Sequence, residues 1–390
     1  MDRLFQPPDL GLDDLAVIGE INQTRECLAS VLRVPKRWDG GLRRTTQARA
    51  IQGSNSIEGY TVSDQDAAAA VEGELPLAAD ERTWAEIIGY RRVLTYVLSI
   101  ATEPGLTVDE SMLRSMHFML SEHELAKSPG RYRTAPIYVH DDRADRNVYE
   151  GPEPERVPGL VRSLVRDLGN TDAEATVRGA MAHLNLVMIH PFRDGNGRMA
   201  RALQTMVLAQ DQVLEPTFSS IDEWLGHNTD DYCAVLAAAG GRGWHPERDT
   251  RMWIQFNLRA HHMQAQTLQR RFEEAERLWT LIDLLVSEHQ LPDRTADALF
   301  DALLGLRVTR PSYVKRTEVE ERTATRDLAQ LVQSGLLQPH GQTRARYYVA
   351  GAPLAEMMAE NRKQRQPLID PYPSLVGEIR AAAAQVGRLR

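Results

Sequence analysis

Along most of this chain apolar residues recur every three or four positions, the period of a helix with one face on a core. From Leu12 to about Ile51 that pattern is broken only near Pro35-Lys36-Arg37-Trp38-Asp39-Gly40-Gly41. It resumes through Ala48, Ile51 and Ile57 and stops at Gly59, a residue that takes the left-handed turn after a helix without steric cost. Ser63 followed by Asp66 reads as the next helix start. Further helices are expected around Trp84 to Leu98, Val108 to Leu120 and Val157 to Leu168. Thr171-Asp172-Ala173-Glu174 has the form of a capping box, and behind it Val177, Ala180, Met181, Leu184 and Met188 share a face. Helical pattern begins again after Arg198, with Met199, Leu203 and Met206 on one side, and continues through Trp224, Tyr232 and Trp253 to about Leu285.

One stretch departs from this. Pro129 to Pro158 mixes prolines and charges with Tyr132, Ile137, Tyr138, Val139 and Tyr149, and its short alternation predicts a single hairpin. A separate module from roughly Leu278 to Ala350 reads as helix, turn, helix and a two-stranded wing around Gly341. The expected fold class is therefore all-α, with one hairpin and a C-terminal winged helix-turn-helix.

Composition narrows the class without changing it. With 390 residues, 42% of them hydrophobic and 26% charged, the chain is long enough for two or three cores. Two cysteines, Cys27 and Cys233, exclude a disulfide framework and a cysteine-based zinc site. The start, Met1-Asp2-Arg3-Leu4-Phe5, has no secretory pattern, and no apolar run is long enough to span a bilayer, so a cytoplasmic protein without a membrane partner is expected. The net charge of −8 argues against general coating of nucleic acid. Charge is uneven, however: Val308 to Val349 holds seven basic and four acidic residues, +3, against −11 elsewhere.

The chemistry is concentrated in His190-Pro191-Phe192-Arg193-Asp194-Gly195-Asn196-Gly197-Arg198-Met199-Ala200-Arg201. A helix ends at a histidine, a loop follows with two glycines around an asparagine, and a new helix starts. Gly195 and Gly197 let backbone N–H groups converge, and the helix N-terminus adds open donors and positive dipole, together an anion cradle. Arg198 and Arg201 are three apart on one helix face, where both can reach outer phosphates. Asp194 is a hard oxygen donor where Mg²⁺ bridging two phosphates needs one. Phe192 is expected to pin the loop to the core. His190 is the nearby group able to take a proton near neutral pH. Each feature alone is ordinary; base, metal ligand, cradle and two arginines within twelve residues are not.

This segment matches the Fic family motif His-Pro-Phe-x-Asp/Glu-Gly-Asn-Gly-Arg-x-x-Arg at every specified position, and the resemblance spans roughly Val108 to Leu258. It implies an ATP-using protein adenylyltransferase. His190 would deprotonate a target hydroxyl, Asp194 would hold Mg²⁺, Gly195, Asn196 and Gly197 would bind phosphates, and Arg198 and Arg201 the outer ones. Relatives with lysine at the acidic position act as kinases, so Asp194 favours AMP transfer.

Ser54-Asn55-Ser56-Ile57-Glu58-Gly59 resembles the family's inhibitory pattern, in which Glu58 would pair with Arg201 and block the γ-phosphate site, with Ser54 and Gly59 completing the motif. Gly130-Arg131-Tyr132-Arg133 leading to Ile137, Tyr138 and Val139 resembles the family's flap, whose strand edge docks an extended target. Asn228 and Tyr232 resemble positions near the adenosine. The module at the C-terminus resembles the winged-helix appendage of bacterial relatives, in which Thr323, Thr325 and Arg326 would face DNA. The expected organisation is a helical region carrying the inhibitory helix over 1–105, a catalytic core over 106–265, a linker helix and winged helix over 266–350, and a tail over 351–390. Expected partners are ATP, a protein with a Ser, Thr or Tyr hydroxyl (the chain itself included), DNA and a second copy of the chain. Two other readings stay open: AMP removal with Glu58 positioning a water, and a DNA-binding regulator whose nucleotide site only senses its ligand.

Overall fold

Helix dominates the chain, as the periodicity requires, in a computed structural model that describes residues 3–141, 146–169, 173–212, 214–342 and 346–388. The N-terminal part holds α1 (Leu12–Leu32), α2 (Asp39–Ile57), α3 (Asp64–Glu72), α4 (Glu81–Ile100) and α5 (Glu110–Ser121). A hairpin follows, β1 (Tyr138–Asp141) and β2 (Arg146–Glu150), then α6 (Val157–Leu168), α7 (Ala175–Ile189), α8 (Asn196–Gln210), α9 (Asp222–His227) and α10 (Thr229–Gly240). The long α11 (Arg251–Glu288) leads to α12 (Thr295–Leu303), β3 (Val308–Thr309), α13 (Arg310–Thr317), α14 (Glu321–Gln333), β4 (Leu337–His340) and β5 (Tyr347–Ala350). The chain closes with α15 (Ala352–Lys363) and α16 (Leu375–Arg388).

Local chemistry sets many of the boundaries. The Ser63, Asp80 and Asp109 side chains accept from the N–H groups of Asp66, Thr83 and Met112, satisfying donors that a helix start leaves open. Gly59 follows α2 at φ 84°, where other residues are strained. The Thr171–Glu174 capping box falls partly outside the described residues; α7 begins at Ala175, and Glu174 makes no side-chain cap. The helix expected after Arg198 begins at Asn196, because Gly195 at φ 76° turns the chain directly into it.

Helices α7 and α8 form the centre. Leu184, Leu186 and Ile189 from α7, and Met199, Leu203 and Met206 from α8, are fully excluded from water. On one side they pack with Ile87, Tyr90 and Val93 of α4, Leu113 and Met116 of α5, and Leu160 and Val161 of α6. On the other, Val177 and Met181 of α7 join Trp224, Val235, Trp253, Ile21 and, from the tail, Leu375 and Ile379. The tail thus completes a core through α16 on α10. A third cluster joins Trp38 and Leu42 to the far half of α11 and to α12, α13, α14 and α15. The boundary expected at 265/266 falls inside α11, and clusters combine residues from both sides of 105/106. In the C-terminal unit β3, β5 and β4 form a three-stranded antiparallel sheet beside α13 and α14.

Close backbone contact positions α2. A Cβ on Gly53 would collide with the Asp222 carbonyl, and one on Gly226 would lie 2.5 Å from the Gly53 Cα. These two glycines allow α2 and α9 to touch backbone to backbone, which fixes where the end of α2 meets α8.

Candidate active site

His190 caps α7 in the left-handed conformation, at φ 50° and ψ 57°. Its Nδ1 lies 3.0 Å from the Val187 carbonyl. A carbonyl only accepts, so Nδ1 carries the proton and Nε2 is left with its lone pair. Burial lowers the His190 pKa below its ordinary value, keeping the ring neutral. Arg133 holds the turn from the flap side: its Nε donates to the His190 carbonyl at 2.8 Å, and its backbone N–H donates to Pro191 O at 2.9 Å. Arg133 was quoted above within the flap pattern, but nothing in its spacing indicated this contact.

The loop after His190 is built from inside. Phe192 is buried and stacks on His117, with ring centroids 3.8 Å apart. His117 accepts from Gly130 N–H through Nδ1 at 2.9 Å, and its Nε2 reaches the Asp194 carbonyl at 3.0 Å. Burial pushes its pKa down to about 4. Asn196 does not face the cradle with its side chain. Its amide exchanges two 2.9 Å hydrogen bonds with the backbone of Phe192, fixing the loop's shape. Gly195 requires glycine because φ is positive and a Cβ would press on Leu120 at 2.7 Å.

Arg198 and Arg201 share a helix face, but it faces inward, and both side chains are 1% exposed. Arg201 Nη2 donates to Glu58 Oε1 at 2.6 Å and to Ser54 O at 2.9 Å, and its Nε donates to Ser54 Oγ at 2.7 Å. Burial acts to lower the Arg201 pKa, but Glu58, Tyr232 and Asp222 outweigh it and raise it, so the guanidinium stays charged. Glu58 caps α2, and its carboxylate lies over Gly197, where an added Cβ would strike Oε1. A negative group therefore sits on the first turn of α8, the place suited to an anion. Gly59 stands clear of other groups.

Tyr232 lies inside the core. Its hydroxyl, 3.5 Å from Arg201 Nη1, donates to His183 Nε2 at 2.8 Å. His183 Nδ1 donates to Gln204 Oε1 at 2.6 Å, and Gln204 reaches Asn257 Oδ1 at 3.0 Å. This buried chain backs Arg201. Asn228 joins α9 to α10, its side chain donating to Trp224 O at 2.8 Å.

Arg198 pairs with Glu86 of α4 at 2.7 Å, an acid that sequence reading missed. Lys127, in the turn after α5, was missed as well. Its ammonium lies 2.5 Å from Glu86 Oε1, 2.8 Å from Asp194 Oδ2 and 3.2 Å from Glu124 Oε2. Burial would raise Glu86, but Arg198 and Lys127 hold it at about 2. Lys127 likewise outweighs burial at Asp194 and lowers its pKa. Asp194 fits a hard divalent cation: it is ionised, its side chain is 40% exposed, and Oδ1 is steadied by Gly195 N–H at 2.6 Å.

The flap strands pair antiparallel, with Val139 opposite Tyr149 and an irregularity between Val139 and His140. Ile137 lies one residue before the strand and accepts from Gly151 N–H at 3.0 Å. Tyr138 is 50% exposed. Tyr149 OH donates to Met188 O at 2.7 Å, tying the hairpin to the helix that carries His190. On α14, Thr325 and Arg326 are exposed and Thr323 is half-buried, all far along the chain from this site.

Residues 107–208 match the family model described as Fic/DOC family. A sea-anemone relative (Nematostella vectensis), "Protein adenylyltransferase Fic", is 30% identical over 161 residues, 40% of this chain and 36% of its own length. A "Probable protein adenylyltransferase" of Aquifex aeolicus is 26% identical over 156 residues, covering 39% of this chain and 47% of its own. The chain thus spans between about a third and a half of these curated relatives. Among solved structures, a Fic family protein from Desulfovibrio desulfuricans superposes with a TM-score of 0.57 at 23% identity, over 89% of this chain and 99% of that one. Fic-1 from Caenorhabditis elegans gives 0.53 at 21% identity, over 67% and 72%. The match over 107–208 contains His190 and the whole loop to Arg201, and over that stretch the chain carries a Fic/DOC domain.

Proposed function

We propose that the chain is an autoinhibited protein adenylyltransferase, moving AMP from ATP to a hydroxyl side chain of a protein. The observation that carries this reading is the pairing of a histidine with a free Nε2 and an anion cradle at the start of α8, covered by a carboxylate of the same chain. His190 Nε2 takes the proton of the target hydroxyl as its oxygen attacks the α-phosphorus. The bond from that phosphorus to the bridging oxygen breaks, and pyrophosphate leaves. Arg201, freed of Glu58, would neutralise the outer phosphates together with the first-turn N–H groups. Asp194 would hold Mg²⁺, which supplies charge neutralisation to the phosphates when bound. Arg198 is engaged by Glu86 and serves to orient that wall. The flap edge at Ile137, Tyr138 and Val139 would hold the target by backbone pairing, which suits a substrate chosen for its hydroxyl.

Glu58 holds this state closed. It occupies the arginine and the helix N-terminus that ATP phosphates need. A hydrogen bond to a charged group is worth roughly 1.5–3 kcal/mol, about ten- to a hundredfold in an equilibrium. With α-labelled ATP, Glu58→Gly should label itself or lysate proteins on the order of tenfold or more faster than the unaltered chain, and His190→Ala should abolish the gain. Equal labelling by the unaltered chain and Glu58→Gly removes the autoinhibition claim. Loss of label from a pre-modified protein, dependent on Glu58, would favour AMP removal instead.

The order α12, β3, α13, α14, β4, β5 supports reading the C-terminal unit as a winged helix. Arg310, Lys315, Arg322, Arg326 and Arg346 are exposed, while two basic side chains turn toward the rest of the chain, Arg307 Nη2 donating to Leu75 O at 3.0 Å and Arg316 to Glu72 at 3.2 Å. Those two bonds favour contact with protein, here the α2–α3 region; a salt-dependent affinity of the full chain for duplex DNA would argue the opposite.

A further inference from the structure

We infer that Lys127 is the resting occupant of the cation position on Asp194, and that a divalent ion must displace its ammonium to bind. This rests on Asp194 as the metal ligand in the reading above. An ammonium has three donors, and here three carboxylates surround it: Asp194 at 2.8 Å, Glu86 at 2.5 Å and Glu124 at 3.2 Å. Asp194 Oδ1 accepts from Gly195 N–H, while Oδ2, the oxygen without a backbone donor, is held by Lys127. A magnesium-sized ion about 2.1 Å from that oxygen would stand roughly 4 Å from the ammonium, and the repulsion between the two cations favours the lysine's departure.

Retreat of the lysine is a short step. Giving up Asp194 still leaves Glu86 and Glu124, and its side chain springs from a short turn (Leu125–Lys127) between α5 and the flap. His123 also approaches Glu86 at 3.3 Å, and Glu86, His123 and Glu124 together resemble a ligand cluster. The ammonium already lies among them, and Arg198 neutralises the other Glu86 oxygen at 2.7 Å, so the cluster's charge is balanced without an ion. The consequence is coupling: the metal binds poorly alone and well with a nucleotide, whose phosphates add oxygens and draw the ion off the lysine's path.

The test is Mn²⁺ binding to the full chain without nucleotide, followed by electron spin resonance of the free ion, with thermal melting to confirm folding. Lys127→Met should bind Mn²⁺ on the order of tenfold more tightly than the unaltered chain, the value of one hydrogen bond to a charged group. Lys127→Arg, which keeps the charge, should stay weak. Adding Asp194→Asn to Lys127→Met should abolish the gain. Equal or weaker binding by Lys127→Met, with Asp194→Asn still weakening the unaltered chain, overturns this inference alone. Tight binding that survives in the double variant places the ion on Glu86, His123 and Glu124 and also overturns it. If Asp194→Asn leaves the unaltered chain's Mn²⁺ affinity as it was, the metal role given to Asp194 fails, and this inference with it.

Discussion

At His190 the backbone and the ring serve one end. The left-handed turn at φ 50° is strained for a residue with a Cβ, and it is held by the Arg133 contacts and by the 3.0 Å bond from Nδ1 to Val187 O. That bond sets the tautomer, and burial favours the neutral ring. Protonation of Nε2 would remove the lone pair that the proposed base needs, and with a lowered pKa this happens only below the ordinary histidine value of 6.5. The acid limb of kcat/KM for Glu58→Gly labelling should therefore lie below that value, with activity flat through neutrality. An acid limb centred at or above it would show that His190 is not the group that titrates. The neighbouring loop makes the same point about roles. Asn196 sits in the motif between two glycines, yet its amide is spent on Phe192, so its substitution should act through loop shape.

At the scale of elements, the crossing of α2 over α9 decides whether Glu58 reaches Arg201. Replacing a helical glycine with alanine ordinarily stabilises by about 0.5–1 kcal/mol. At Gly53 the sign should reverse, because the new Cβ would collide with the Asp222 carbonyl and approach its carbon at 2.9 Å. Backbone cannot yield as a side chain does, and overpacking of this kind costs about 1–3 kcal/mol. Urea unfolding of Gly53→Ala should show that loss, with faster labelling as α2 is pushed off α8. A variant as stable as the parent would mean that the contact relaxes freely. The hairpin and α7 are joined in the same way, through Tyr149 OH on Met188 O and Arg133 on the His190 turn.

The whole molecule buries ionisable groups that are neutral when folded. His117, His183 and His261 titrate at about 4, 3 and 3, all pushed down chiefly by burial. Unfolded, each would take up a proton near pH 6.5. Between these values the unfolded chain binds more protons, so stability falls as pH falls, by about 1.4 kcal/mol per unit for each group. From pH 7 to pH 5 each should remove about 2 kcal/mol, visible as a lowered urea midpoint. No change over that range would show that these rings are charged or solvated in the folded state. No helix among the described residues is long and apolar enough to cross a membrane. The C-terminal unit is bound into this whole: Gly41 of α2 lies under Phe300 and Leu304, and Arg44 bridges Glu72 and Asp301.

The sequence by itself determined what is local. Helix periods, the Ser63 and Gly59 boundaries, the hairpin and the twelve residues from His190 to Arg201 depend on spacings of a few residues, and those are written along the chain. The i, i+4 placement of Ser54 and Glu58 was of the same kind, and both reach Arg201. Tertiary structure alone decided what surrounds that loop. Glu86 comes from α4, Lys127 from the turn after α5, His117 from α5 and Arg133 from the base of the flap, 60 to 110 residues or so from their partners, and no spacing rule links such distant positions. Packing also decided direction. Arg198 and Arg201 share a face whether it looks to solvent or to the core, and only the placement of α2 and α4 turned it inward. Tyr232 is turned into the core for the same reason: a helical pattern says which residues lie together, and the neighbouring helices say what they meet.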